Sequence, residues 1–202
     1  MSISKEKNFK GKQELIEVAL EQFSNRGYVK ASINDILRDA GMSKGTFYYH
    51  FENKEDLYLY LIGILIEKKK NHFTREIKAE DYKNNDFFSL LRLLTKSGME
   101  FARENQSFYK FSERFIRERG TDIYETALKK YNFQDNEYFE YLVGDAIKRG
   151  EFREDLPEEF IKNIINYLFT HTVEILNNME MDQYEEGYDY FFKFLEGGLK
   201  RK

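Results

Sequence analysis

The chain has 202 residues, 41% hydrophobic and 34% charged, with 36 acidic side chains against 32 basic ones and a single proline. That balance belongs to a globular helical protein and excludes a disordered one, while the length admits one compact body or a small head joined to a larger body. With no cysteine there is no disulfide framework and no thiolate nucleophile or metal site, which points to a reducing cytoplasm; the longest apolar run, Leu57–Ile66, is ten residues, well short of the roughly 20 that cross a bilayer.

In chain order, residues 1–12 form a polar, lysine-bearing arm. A first helix is expected over about residues 11–25, with Ile16, Ala19, Leu20 and Phe23 inward and Arg26-Gly27 ending it. Ser32 caps a second helix reaching Ala40, whose inner face is Ile33, Ile36, Leu37 and Ala40. Gly41, Met42 and Ser43 make a tight turn, and Ser43 caps a third helix running to His50. Three short helices so joined are a helix-turn-helix. On the third, Phe47 and Phe51 share one face, while Gly45 and Tyr49 fall opposite with Thr46 and Tyr48 on their flanks. The outward face thus offers a cation at Lys44, a residue without a side chain, a hydroxyl, two phenols and an imidazole at His50, an inventory suited to a DNA groove. Asn53 caps a fourth helix with Asp56 three residues on, and Lys54 lies at its start, where anions are favoured.

The net charge of −4 speaks against nucleic acid only as an average: residues 1–54 carry nine basic and seven acidic side chains, and the remainder 23 and 29. Past Lys54 the fourth helix has an apolar face of Leu57, Leu61, Ile64 and Leu65 and is expected to bridge head and body. Helices follow over residues 87–103, 108–119, 122–131 and 136–148, with breaks at Gly120 and Gly150. Pro157 opens a long helix reaching about residue 179, and a last helix spans 183–199. His72, beside Lys68, Lys69 and Lys70, reads as solvated surface; His171 reads as a satisfied core or interface histidine.

Residues 11–62 resemble the DNA-binding domain of the TetR family of bacterial transcriptional regulators. The resemblance lies in A-x-x-x-F-x-x-x-G-Y from Ala19 to Tyr28, then S-I-N-D-I, A-G-M-S-K-G-T-F-Y-Y-H-F and N-K-E-D-L without a gap. Over residues 63–202 it is architectural only. It implies an all-α fold: a three-helix helix-turn-helix DNA-binding domain over residues 1–53 and a helical effector-binding and dimerisation domain over residues 54–202. It further implies that Lys44, Thr46, Tyr49 and His50 face base edges and nearby phosphates in the major groove, that Gly45 allows close approach, and that Tyr48 donates to phosphate. Ser32 and Lys54 would grip phosphates from flanking helix starts, with Ser43 at the turn. Ala31 stands where the family frequently has Thr, removing one hydroxyl.

For the body, the expected effector is small and largely apolar or aromatic. Its pocket is assigned first to Met99, Phe101, Arg103, Phe108 and Phe111, and then to Phe115, Tyr124, Tyr138, Tyr141 and Phe169. The last two helices are apolar on more than one side, which predicts a homodimer through Phe160, Ile164, Leu168 and Ile175 on one helix and Tyr188, Phe191, Phe192 and Leu195 on the other. The chain lacks a G-x-S-x-G elbow, an H-E-x-x-H pair and a G-x-x-x-x-G-K loop, so an enzyme is disfavoured. No cofactor, metal or membrane is expected. The reading is a one-component regulator, a repressor, that binds a pseudo-palindromic double-stranded operator as a dimer. A ligand-independent DNA-binding protein is the alternative.

Overall fold

A computed structural model describes residues 9–132, 137–176 and 183–201, apart from the side chains of residues 137, 138, 173 and 184. The described residues are helical almost throughout: α1 (Lys12–Lys30), α2 (Ile33–Asp39), α3 (Lys44–His50), α4 (Lys54–Glu76), α5 (Ala79–Asn84), α6 (Phe87–Glu104), α7 (Gln106–Ile116), α8 (Asp122–Tyr131), α9 (Glu137–Lys148), α10 (Glu158–Thr170), α11 (Thr172–Ile175) and α12 (Tyr184–Leu199). Two compact units arise, one from Met1–Glu76 and Lys96–Asp135, the other from Ile77–Thr95 and Asn136–Lys202. Packing therefore divides the chain differently from the division expected at residue 53.

In the first unit α4 is the axial helix. Every residue from Leu57 to Gly63 is buried, so it is enclosed on all sides instead of presenting one stripe. Around it lie the inner faces of α1 (Leu15, Ala19, Phe23), α2 (Ile36, Leu37) and α3 (Phe47), together with Phe101, Phe108 and Phe111 from α6 and α7. The Tyr58 ring meets Phe23 edge-on at 4.9 Å and Phe111 at 5.1 Å, so the head and α7 share one core. α1 is not uninterrupted: Gly27, at φ 73° and ψ 170°, occupies a region open in practice only to glycine.

The second unit is built on Phe87, Phe88, Phe152, Ile161, Ile165, Phe191, Phe192 and Leu195. The loop after α9 is pinned by an antiparallel bridge between Phe152 and Lys200, where the Arg153 amide donates to the Leu199 carbonyl at 2.9 Å. One expectation is corrected in this unit. The helix opened by Pro157 stops at Thr170, because His171 Nδ1 lies 2.8 Å from the Tyr167 carbonyl and the Thr172 hydroxyl donates to the carbonyls of Leu168 and Phe169. The expected end near residue 179 falls outside the described residues. The polar segment 79–84, which has no apolar period to betray it, is helical through local capping, with the Lys78 amide donating to Asp81 at 2.8 Å.

In the first unit His72 is buried and not solvated: its Nε2 lies 2.9 Å from the Ser97 carbonyl and its ring meets Phe101 edge-on at 5.5 Å. Its lysine neighbours stay exposed because one helical turn passes through both surface and core.

Candidate nucleic-acid interface

The reading surface is assembled from local rules. Ser32 Oγ accepts the Asp35 amide at 3.3 Å and starts α2; Ser43 Oγ accepts the Thr46 amide at 3.1 Å and starts α3. Between them Gly41, at φ 61°, turns the chain, and the Met42 amide donates to the Leu37 carbonyl at 2.9 Å. The turn fixes which face of α3 points inward. Phe47 is wholly buried and stacks on Phe51 with centroids 5.4 Å apart, while its sequence neighbours Tyr48 and Tyr49 stand 56% and 84% exposed. Lys44, Gly45 and Thr46 are exposed beside them. α3 has no acidic residue in its first turn, so Lys44 keeps its charge outward without a local counter-ion on that turn.

Two hydroxyls assigned to DNA also hold the fold. Capping uses an oxygen lone pair of Ser32 or Ser43 and leaves the proton of the hydroxyl for another acceptor. Ser43 and Thr46 further share a hydrogen bond of 2.9 Å between their hydroxyls. His50, half-buried at the end of α3, lies face to face with Phe9 and edge-on to Tyr49. Lys54 is drawn inward: its ammonium donates to the carbonyls of Val29 at 3.2 Å and Ala31 at 3.1 Å and sits 4.6 Å from the Tyr28 ring centre. Burial pulls its pKa below the usual lysine value. At the same corner Asn53 Oδ1 accepts the Asp56 amide at 2.9 Å, and Asp56 accepts in return from Glu52, one residue earlier than the reciprocal bond of a capping box.

The end of α1 is tied to the end of α7 and the residues just after it. The Tyr28 amide donates to Glu118 Oε1 at 3.0 Å, and Glu118, itself buried, also faces Arg114 Nε at 3.5 Å. A Cβ at Gly27 would collide with the Arg114 guanidinium, so glycine there is demanded by space as well as by φ. Sequence reasoning missed Phe9 and Glu118. Only Phe9 carried a signal, as the one aromatic in a polar arm.

The residues assigned to an effector do not lie in one unit. Met99, Phe101, Arg103, Phe108, Phe111, Phe115 and Tyr124 belong to the first; Tyr141, which is exposed, and Phe169, which packs on Phe139 and Phe191, belong to the second. The side chain of Tyr138 lies outside the described residues. Phe101, Phe108 and Phe111 are buried core, whereas half-buried Phe115 stacks on Tyr124 at 4.9 Å. A cavity of about 240 Å³ in the second unit is lined by Glu140, Glu159, Lys162, Asn163 and Asn166 over Phe139 and Val143. None of the assigned residues lines it, and its walls are polar. Among the described residues no group of three or more potential metal ligands gathers, and no helix is long and apolar enough to cross a membrane.

Residues 15–61 match a family model described as bacterial regulatory proteins, tetR family. The uncharacterized HTH-type transcriptional regulator YvdT of Bacillus subtilis (strain 168) is 26% identical over 197 residues, covering 96% of this chain and 97% of that protein. The chain reads as a TetR-family regulator. A crystal structure of a TetR-family transcriptional regulator from Chloroflexus aurantiacus J-10-FL superposes with a TM-score of 0.72 at 26% identity, over 98% of this chain and 96% of the other. The probable acrEF/envCD operon repressor of Escherichia coli (strain K12) is 44% identical, but over 55 residues, 27% of this chain and 25% of that protein. The protein is an all-helical, DNA-binding transcriptional regulator and not an enzyme. Regulators of this family bind DNA operators and small-molecule effectors, typically as dimers.

Proposed function

We propose that this TetR-family regulator is a cytoplasmic repressor whose homodimer reads a pseudo-palindromic operator with α3 of each subunit. The observation that carries this reading is the contrast on α3, where Phe47 is fully buried while Tyr48 and Tyr49 project outward beside Lys44 and Gly45. A helix packed for stability alone gains nothing from two exposed phenols, whereas a major groove offers base edges and phosphates to each of these groups. Thr46, Tyr49 and His50 serve base edges and nearby phosphates, Tyr48 serves phosphate, and Ser32, Ser43 and Lys54 hold the helix starts while directing their remaining donors at the backbone. Residues 1–53 are then the reading domain, and residues 54–202 bind effector and partner.

Selection of bound duplexes from a random pool tests this. A two-fold symmetric sequence is expected, and Tyr49→Ala should change which sequences are recovered; a pool with no two-fold signal would overturn the assignment.

The second subunit is best received by the apolar side chains that the second unit leaves uncovered: Phe160 and Tyr167 on α10, Ile175 on α11, and Tyr190 and Phe194 on α12. Ile164, Leu168 and Tyr188 lie partly buried behind them, and Phe191, Phe192 and Leu195 belong to the unit's own core. The effector is small and largely apolar or aromatic, in keeping with the rings on α6 to α8. One relative, 25% identical over 84% of this chain, is named as a fatty acid metabolism regulator of Bacillus subtilis (strain 168). Effector and operator then oppose one another reciprocally: a ligand that weakens operator binding tenfold must itself bind tenfold more weakly to the operator complex. A ligand-independent DNA binder would show no such exchange.

A further inference from the structure

The segment before α1 contains one aromatic residue, Phe9. Its ring lies on the His50 imidazole with centroids 4.1 Å apart and planes 17° from parallel, while the edge of Phe51 meets it at 6.1 Å. The Lys12 amide donates to the Phe9 carbonyl at 3.3 Å, which ties this backbone to the start of α1. The Tyr49 ring stands perpendicular to the imidazole at 4.9 Å. The imidazole therefore sits in an aromatic column that begins in the core at Phe47 and Phe51, passes through Phe9, and ends at the most exposed ring of α3.

We propose that Phe9 is a positioning residue of the DNA-reading surface, its stacked ring holding the His50 imidazole in the orientation in which it meets the duplex. The proposal rests on the reading of α3 given above. A side chain oriented before the encounter does not lose that freedom on binding, so the benefit is expressed in affinity more than in stability. What the stack requires is a flat face. Leucine at position 9 would still pack against Phe51 but would offer the imidazole no ring, whereas tyrosine and tryptophan would keep one.

The test uses the full-length chain and the duplex recovered by the wild type from the random pool. Phe9→Leu should weaken binding by roughly two- to tenfold, the scale of one aromatic pair. Phe9→Tyr and Phe9→Trp should restore it, and in a His50→Gln background Phe9→Leu should cause no further loss. Three results overturn the proposal alone: wild-type affinity in Phe9→Leu, an equal loss in the His50→Gln background, or failure of both aromatic replacements to restore binding in folded protein. A wild-type chain that selects no duplex overturns the reading of α3 and this proposal with it.

Discussion

At the scale of single residues, Glu118 has the most to explain. A buried carboxylate is tolerated only where hydrogen bonds and charge replace water, and here the Tyr28 amide and Arg114 supply both. Glu118→Ala strands that amide and should lower unfolding free energy by about 1–3 kcal/mol, whereas Glu118→Gln keeps an acceptor and should lose less. Urea denaturation of both variants measures the difference, and equal losses would show that the acceptor is immaterial. In the second unit Asp86 offers a pH signature. Burial alone would raise its carboxyl, but bonds from Lys200 and from the hydroxyl and amide of Ser89, with the Lys200 charge, bring it down to about 2 from an ordinary 3.8. The folded state therefore prefers the ionised form, and the resulting stability is present above about pH 4 and lost as pH falls toward 2. Asp86→Asn keeps the acceptor for the Ser89 amide and removes the charge. The expected cost near pH 7 is at most about 1 kcal/mol, since the pair with Lys200 is partly exposed, and the gap from wild type should close between pH 4 and 2 in thermal melts.

Between elements, the join of α4 to α8 depends on a missing side chain. Tyr131 Oη donates to the Leu59 carbonyl at 2.6 Å, and a Cβ on Gly63 would stand 2.8 Å from that oxygen. Gly63→Ala should thus cost about 1–3 kcal/mol despite alanine's better helix propensity, because the phenol must shift and leave its carbonyl. Removing the hydroxyl in Tyr131→Phe relieves the crowding, so the double variant should lose clearly less than the two single losses added together. Strict additivity in chemical denaturation would show that the two sites do not meet as described. Over Leu57–Gly63 α4 is buried on every side, and there its Tyr58 ring also packs edge-on against Phe111 of α7.

For the whole molecule, assembly is the property that the burial pattern sharpens most. Charge at Phe192 or Leu195 would enter a folded core, since Arg92 already covers the Phe192 ring at 4.8 Å, so such variants report on folding. Phe194 is exposed on the same helix. Phe194→Glu should leave the melting curve of the isolated subunit fold close to wild type, give a monomer in sedimentation, and release the operator, because one α3 alone reads only half of a two-fold site. An undisturbed dimer carrying Phe194→Glu would place the interface elsewhere.

What the sequence determined by itself is the part governed by neighbours within four residues. Ser32, Ser43 and Asn53 each start the helix assigned to them, Gly41 turns the chain between α2 and α3, and the alternation of Phe47 with Tyr48 and Tyr49 sets the inward and outward faces of α3. Capping and helical periodicity act over a single turn, so they are legible without any knowledge of what lies opposite. Tertiary structure decided the partners. Glu118 reaches Tyr28 across 90 positions, Ser97 buries His72 beside a run of lysines, Lys54 donates to the carbonyls of Val29 and Ala31, and Phe9 finds His50. It also decided which of the two apolar faces of α10 and α12 is core and which is left open. Periodicity shows that a helix has two greasy sides, but only the arrival of another helix against one of them removes it from water, and that arrival is fixed by the packing of the chain as a whole.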